Sequence, residues 1–490
     1  MSNYILNPIY LLMHEENKTY LITGNTYGLT ASLYVIHPVY AMMLSFFNGE
    51  ELSVIFNKIS DYFNLSEEKV EHFLTPLIKN KQRIKNKFGA FPKNLIVEYD
   101  AHMPKHNYKP EDFTYGELDL RISRFKKPVD LVFNVTMKCR TSCLYCYADR
   151  KNPNGKNLLP IERVESIIEE AKELGVIKLK LMGGEVFMHK DWYRILKKLS
   201  ECGYRPDLST KVPLKQRHIE AIKELNIAPI QFSLDTMIKS NLYKVLNVKD
   251  PYYQEVLDTF ELLETNKIEY SVHTVISNLN DSIEDIDSLK DFFLSKKYLI
   301  EWAFDVAKCS MYLDYEYSDY KITYDRYLKL KEYIKNIDNE NIFNFKLRLP
   351  FARNYKESYN IDKLKELYSQ RTPCSGNLLG FYILPDGKVT LCEELYWHPR
   401  FIIGDLRKQS IMEVWNSSKA LDLFHLRQDS LQEKSACRTC DIFSKCREYK
   451  HVCWRDVILG YGHENWDYPD LFCHKAPKIQ KDIFLYPTPQ

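Results

Sequence analysis

Cys139, Cys143 and Cys146 are spaced C-x3-C-x2-C within NVTMKCRTSCLYCYADR, and no other feature narrows the fold and chemistry of this chain as much. Three thiolates can hold three irons of a [4Fe–4S] cube that normally takes four cysteines, which leaves the fourth iron open to a small ligand. A zinc knuckle is the alternative. Zinc usually wants four ligands, commonly supplied as C-x2-4-C pairs, and no fourth Cys or His lies close to the triplet.

At 490 residues the chain is long enough for two to four domains and a large core. A formal net charge of +2 gives no general attraction to nucleic acid or anionic lipid. The opening MSNYILNPIYLLMHEENK has no basic stretch followed by a long apolar one, so it does not read as a signal peptide. No apolar run reaches the roughly 18 residues a membrane span needs. Twelve cysteines without an export signal point to metal ligation, because the cytosol keeps thiols reduced. The expectation is a soluble cytoplasmic protein that carries clusters, with no nucleic-acid or membrane partner.

From Leu131 the pattern alternates strand and helix. LVFNVT (131–136) runs into the cysteine loop, Ile161, Val164, Ile168, Ala171 and Leu174 share one helical face, and VIKLKLM (176–182) reads as the next strand. Further strands are expected near Asp207–Thr210 and at PIQFSL (229–234), YSVHTVI (270–276) and LIEWAFDV (299–306). Six βα units of this kind make an α/β fold, a parallel sheet curled into a partial (β/α)6 barrel, with ligands at the C-terminal strand ends. Gly183-Gly184-Glu185 follows the second strand, where glycines let a backbone approach a ligand and a carboxylate can accept from an ammonium group. Ser233 and Asp235 end the fourth strand, and Asn278 follows the fifth.

With Tyr145 just before its last cysteine, the triplet resembles the signature of the radical S-adenosylmethionine (SAM) superfamily. In that family the open iron chelates the amino and carboxylate groups of SAM. The resemblance implies that Gly183, Gly184 and Glu185 stand for a Gly-Gly-Glu-Pro motif that meets the SAM ammonium, with Val186 in place of proline. Ser233 and Asp235 resemble the Ser-x-Asp that bonds the ribose hydroxyls. Asn278 is a candidate for the carboxylate side of SAM, and Tyr145 either packs on the adenine or walls off the cluster. Thr210-Lys211 stands where Thr-Asn is often seen and is assigned nothing.

Residues 1–90 read as a separate domain. IYLLMH (9–14) and TYLITG (19–24) suggest a hairpin, VYAMMLSFF (39–47) and LSVIFNKISDYF (52–63) two helices, and a third helix follows Ser66, with Pro76 shortening or kinking it. A hairpin with three helices is a winged-helix pattern. Residues 1–80 carry eight Asp/Glu against four Lys/Arg, the wrong sign for a phosphate-binding surface. The arrangement resembles the peptide-recognition domain of peptide-modifying radical SAM enzymes, which implies capture of a precursor's leader as an added strand on the hairpin edge. A purely structural wing and a DNA-binding wing are the alternatives.

Cysteines become dense again towards the C-terminus: Cys374, Cys392, Cys437-x2-Cys440-x5-Cys446, Cys453 and Cys473, with a hairpin expected at FYIL-PDGK-VTLC. The array, with HPRFIIGDLRKQSIMEVWNSS (398–418), resembles the SPASM domain, which binds auxiliary [4Fe–4S] clusters. Six residues separate Cys446 from Cys453, where that family usually has three. The resemblance implies one cluster on Cys437, Cys440, Cys446 and Cys473 and a second on Cys374, Cys392 and Cys453. The fourth ligand of the second is either Cys309 or an open site filled by a substrate thiol. A zinc ribbon on Cys437, Cys440, Cys446 and Cys453 is the alternative for this region.

The resulting expectation has six parts: a winged-helix leader-recognition domain (1–90), a linker (91–125), a radical SAM partial barrel (126–310), a helical bridging region (311–370), a SPASM domain (371–475) and a tail (476–490). The function implied is a radical SAM maturase that crosslinks a leader-bearing precursor peptide, first as a Cys thioether, with SAM, one radical SAM cluster and two auxiliary clusters. An electron donor such as flavodoxin or ferredoxin would supply reducing equivalents. Carbon–carbon crosslinking, epimerisation, backbone excision, formylglycine formation and a non-catalytic peptide-binding role are the alternatives.

Overall fold

A computed structural model describes residues 2–23, 33–149, 157–349, 374–449, 452–479, 481 and 483. The chain divides into two compact units, Met1–Ser123 and Arg124–Gln490.

The first unit holds β1 (Asn3–Leu6), β2 (Tyr10–Glu15), β3 (Lys18–Thr23), β4 (Leu33–Ile36), β5 (Asn48–Glu51), β6 (Ile84–Asn86), β7 (Gly89–Phe91) and β8 (Ile96–Glu98). They form a five-stranded sheet in the order β2-β3-β4-β7-β6 and a small sheet β5-β1-β8. The hairpin expected from two apolar runs is β2–β3, in register from Tyr10↔Thr23 to Glu15↔Lys18. Three helices follow as expected: α1 (Pro38–Leu44), α2 (Leu52–Phe63) and α3 (Glu67–Leu74). The third stops at Leu74, and Thr75–Leu77 tightens into a 3-10 turn around Pro76, whose ring and missing N–H end the α-helical ladder. Leu44, Ile55, Ile59, Val70, Leu74 and Phe91 close the core of this unit.

Residues 91–125 are not the expected linker. Leu95, Ile96 and Phe113 are buried in the same core, the Tyr108 hydroxyl accepts from Leu12 N–H at 3.2 Å, and the Lys18 ammonium donates to Arg121 O at 2.6 Å. The prolines in this stretch punctuate short packed segments. The boundary shift also alters the charge argument. The hairpin β6–β7 and its flanks carry Lys81, Arg83, Lys85, Lys87 and Lys93 with no acid between them, all exposed.

In the second unit the six expected barrel strands are β9 (Asp130–Asn134), β10 (Lys178–Met182), β11 (Ser209–Thr210), β12 (Ile230–Ser233), β13 (Tyr270–Ile276) and β14 (Leu299–Val306). Every pairing among them is parallel, in two runs, β10-β9 and β11-β12-β13-β14. Helices α4 (Ile161–Glu173), α5 (Trp192–Glu201), α6 (Gln216–Glu224), α7 (Lys239–Leu246), α8 (Tyr252–Thr265) and α9 (Ile283–Phe293) connect them. On α4 the predicted apolar face is the buried one, through Val164, Ile168 and Ala171. Two further parallel strands were not expected. After α10 (Tyr324–Asn339), β15 (Lys346–Arg348) adds to β14, and β16 (Gly380–Ile383) adds to β9.

β16 is also the first arm of the expected C-terminal hairpin, paired antiparallel with β17 (Lys388–Thr390), which continues to β18 (Gly404–Asp405). Gly380 permits the β9 contact: a Cβ there would sit 1.5 Å from Asp130 O. The segment 398–418 is strapped to α4, where Arg163 donates to Leu406 O (2.6 Å) and Gln409 O (2.8 Å). The expected bridging region and tail fall partly on residues 350–373 and 484–490, outside the described residues. No described helix is long and apolar enough to cross a membrane.

Candidate active site

β9 delivers the cysteine loop to the C-terminal end of the barrel, and α7 holds it there: Ser142 N donates to Leu246 O (2.9 Å) and Leu144 N to Val245 O (2.8 Å). The Thr141 hydroxyl lies 3.3 Å from both Cys139 Sγ and Cys143 Sγ, so two of the three sulfurs converge on one group. The Cys143 thiol is buried, and burial pushes its pKa up to about 12 against the pull of Lys211. A thiol in that position becomes a thiolate when it binds a cation. A soft sulfur donor set of this kind fits an iron–sulfur cluster. Among the described residues, no three His, Cys, Asp or Glu side chains close on a single ion.

Gly183 and Gly184 leave β10 and press on the start of the cysteine loop. Gly184 N donates to Thr136 O at 2.7 Å, and a Cβ on Gly184 would lie 2.3 Å from Met137 O and 2.5 Å from Lys138 O. The close approach that demands glycine is therefore to the protein's own backbone. Glu185 is buried, accepting from Phe187 N (3.3 Å), the Thr210 hydroxyl (2.9 Å) and Lys211 N (3.2 Å). Burial raises its pKa to about 7, with those hydrogen bonds opposing the rise.

Asp235 follows β12 and has no exposed surface. Its Oδ1 accepts from Val275 N (3.0 Å), and its Oδ2 accepts from the Tyr145 hydroxyl (2.5 Å) and the Lys211 ammonium (2.9 Å). Lys211 also donates to Tyr145 Oη at 2.7 Å. Burial works against the charge on Lys211, but Asp235 together with Cys143 and Cys139 outweighs it, so its pKa lies above the ordinary lysine value. Burial, then Asp235, keeps the Tyr145 phenol protonated. Ser233 is buried at the end of β12, in register with His273 on β13. Asn278 is not brought to this cluster; it is exposed, and its side-chain amide donates to Asp319 O at 2.9 Å.

Three residues of the site went unread in the sequence. Thr210 and Lys211 link the two carboxylates, Glu185 and Asp235, although Lys211 replaces the usual asparagine. His273 is partly buried on β13 among Asp305, Lys211, Arg348 and Asp235, and burial pushes its pKa down to about 4. Signals existed only for the pair, as a Thr-Lys at a strand end.

The C-terminal cysteines form two groups. Cys374, Cys392 and Cys453 line one pocket with Gly376, Trp454 and Arg455. Cys309 is not among its lining residues. It packs with Leu459, Leu471 and Phe472, and its carbonyl accepts from Arg455 Nη2 at 2.9 Å. Cys437, Cys440, Cys446 and Cys473 share one electrostatic neighbourhood. Arg447 Nη2 lies 3.8 Å from Cys437 Sγ, the Lys475 ammonium 3.5 Å from Cys440 Sγ, and Lys475 N 3.4 Å from Cys473 Sγ. Donors aimed at sulfur suit cluster-bound thiolates.

A family model of the radical SAM superfamily matches residues 133–293, and a model of the SPASM iron–sulfur cluster-binding domain matches residues 374–441. The chain carries a radical SAM domain and a SPASM domain. The first is a domain type whose cofactors are SAM and a [4Fe–4S] cluster, and the second a type that binds auxiliary iron–sulfur clusters. Curated relatives are similar only in part. A probable GTP 3′,8-cyclase of Pyrococcus horikoshii is 29% identical over 33% of this chain and 51% of its own length. The Fe-coproporphyrin III synthase of Methanosarcina barkeri is 32% identical over 25% of this chain and 31% of its own. The chain thus spans about half or less of the relatives it matches. Among solved structures, Streptococcus suis SuiB, bound to SAM or to the precursor peptide SuiA, shares the fold with a TM-score of 0.61 at 15% identity, over 96% of this chain and 99% of SuiB.

Proposed function

We propose that the protein modifies a leader-bearing precursor peptide, forming an intrapeptide crosslink, first as a Cys thioether. The observation that carries this reading is that its fold matches, over nearly the whole of both chains, that of a protein crystallised with a precursor peptide. When bound, SAM and its cluster supply a 5′-deoxyadenosyl radical able to take a hydrogen atom from a peptide carbon. Cys139, Cys143 and Cys146 would hold that cluster. Glu185 would take the SAM ammonium and Asp235, with Ser233, the ribose, while Tyr145 closes the polar side of the pocket. Cys374, Cys392 and Cys453 would hold a second cluster with one position for a substrate thiol, and Cys437, Cys440, Cys446 and Cys473 a third.

The leader would join the first unit as a strand. The hairpin edge is a poor acceptor, since Tyr108 already meets the Leu12 N–H of β2. β6 ends the same sheet among the described strands and exposes Lys85 and Asn86. Its flanking cations favour an acidic leader. The test is to express the enzyme with short peptides encoded beside its gene and weigh the products. Loss of two hydrogens with a blocked thiol supports the thioether, an unchanged mass points to epimerisation, and loss of a backbone fragment to excision. Replacing Lys81, Arg83, Lys85 and Lys87 by Glu should stop processing and spare uncoupled SAM cleavage. Binding of duplex DNA instead of peptide at those residues would overturn the assignment of the wing.

A further inference from the structure

Among the charged side chains that act on one another near Cys392, one is left over. Arg455 pairs with Glu394 (2.8 Å) and Asp456 (2.7 Å), and Lys308 with Asp305 (3.0 Å). Lys180 is the strongest charge acting on both Asp130 and Asp207. Glu393 has no such match. It is half-buried, directly after Cys392, and among the described residues it accepts no hydrogen bond and forms no ion pair. The charges that reach it are Glu394, which repels, and Lys180, Lys308 and Arg455, each of which already faces an acid of its own. A carboxylate drawn out of water without a counter-charge is costly until a partner pairs it.

The surroundings of Glu393 mark where that partner would sit. Lys180 on β10, Val132 on β9 and Tyr382 on β16 lie in register, so their side chains share one face of the parallel strands. Burial, then Glu393, raises the phenol of Tyr382, and the same two causes lead for Tyr147 and Tyr396. Three tyrosines therefore stand about one unpaired carboxylate. Tyr382 also feels Cys392 and Cys374, while Tyr147 and Tyr396 feel Cys146. The carboxylate thus lies between the first cysteine set and the C-terminal trio. Aromatic rings beside a negative charge favour a cation, and ring surface suits the alkyl stem of a long basic side chain.

We propose that Glu393 is a specificity residue of the peptide site, pairing with the ammonium or guanidinium of a lysine or arginine in the segment to be modified. Glu394 does not compete for this role, because Arg455 holds it. The inference rests on the peptide-modifying reading and adds to it the charge of the residue presented between the cysteine sets. It is independent of which bond is then formed.

The test is a binding series on the anaerobically reconstituted full chain with SAM present, by ligand-detected nuclear magnetic resonance. The probes are Gly-Gly-Xaa-Gly-Gly peptides in which Xaa is lysine, norleucine or glutamate. Wild type should bind the lysine peptide about ten- to a hundredfold more tightly than the norleucine peptide, the range for a hydrogen bond between charged groups. Glu393→Gln should erase that preference, and Glu393→Lys should transfer it to the glutamate peptide. Iron content checks that the neighbouring Cys392 still ligates, and if either variant loads poorly the wild-type comparison decides alone. Equal binding of the lysine and norleucine peptides would overturn the role of Glu393 and leave the peptide reading standing, as would an undiminished preference in an iron-loaded Glu393→Gln. Failure of all three peptides to bind would count against the peptide reading and take the role of Glu393 with it.

Discussion

The cysteines at the head of the barrel and the four at the end of the chain meet opposite surroundings. Around the first set, the neighbouring cations are committed elsewhere: Arg140 pairs with Glu255, and Lys211 with Asp235. Around the second, Arg447 and Lys475 direct N–H groups at the sulfurs themselves. Hydrogen bonds and positive charge at sulfur stabilise the reduced form of a cluster. One arrangement suits a site that must admit a ligand, the other a site that holds an electron. On the proposed reading, the neighbours of the sulfurs, and not their spacing alone, separate the two tasks.

The largest test removes one side of the comparison. Replacing Cys139, Cys143 and Cys146 together by Ala should abolish SAM cleavage and take away about four irons, the content of one cube, while the C-terminal sets keep theirs. Iron assay and detection of 5′-deoxyadenosine read this directly. If cleavage survived, the two roles would have to be exchanged.

Gly184→Ala strikes the same loop through its backbone. The added Cβ meets two carbonyl oxygens below 3 Å, an overpacking that costs about 1–3 kcal/mol. Iron at the first set should fall and the melting temperature drop, with the C-terminal clusters unchanged in their electron paramagnetic resonance.

A smaller effect comes from pH. Burial raises the Glu185 carboxyl to about 7, so its protonated form predominates below that value. If the ionised form meets the SAM ammonium, affinity should be full above pH 7 and fall by up to about tenfold per unit below it. A calorimetric series at fixed ionic strength, flat from pH 8 to 6, would remove Glu185 from that role.

The smallest sharpens the far side. Arg447→Met removes a donor to Cys437 and should lower the potential of the cluster proposed on Cys437, Cys440, Cys446 and Cys473. A hydrogen bond of about 0.5–1.5 kcal/mol corresponds to roughly 20–60 mV for one electron. A redox titration followed by electron paramagnetic resonance should show that shift and leave the first cluster's potential where it was.

Much of this was legible in the chain because spacing is local. The triplet, the C-terminal cysteines, β2–β3 and the α4 face all announce themselves within a few residues. What could not be read depends on distant partners. β15 and β16 are three and four residues long, too short for a period, and take their meaning from β14 and β9. Lys211 looked like a lost asparagine because its partner is 24 residues away on the next strand end. Residues 91–125 looked like a linker because prolines are visible in sequence, whereas the burial of Leu95 and Phe113 is not.

The pairing of β16 with β9 has a consequence for how the protein is made. Gly380 meets Asp130 across about 250 residues of intervening chain, and at about 5–20 residues per second a ribosome needs roughly 12–50 s to supply the second partner. For that time β9 leaves the ribosome with one flank unpaired and its cysteine loop unsupported on that side. An oxygen-sensitive cluster placed there early would sit in an open wall. Cluster insertion should therefore follow chain completion, and truncations that end before residue 380 should emerge from cells poor in iron even though they contain the whole triplet.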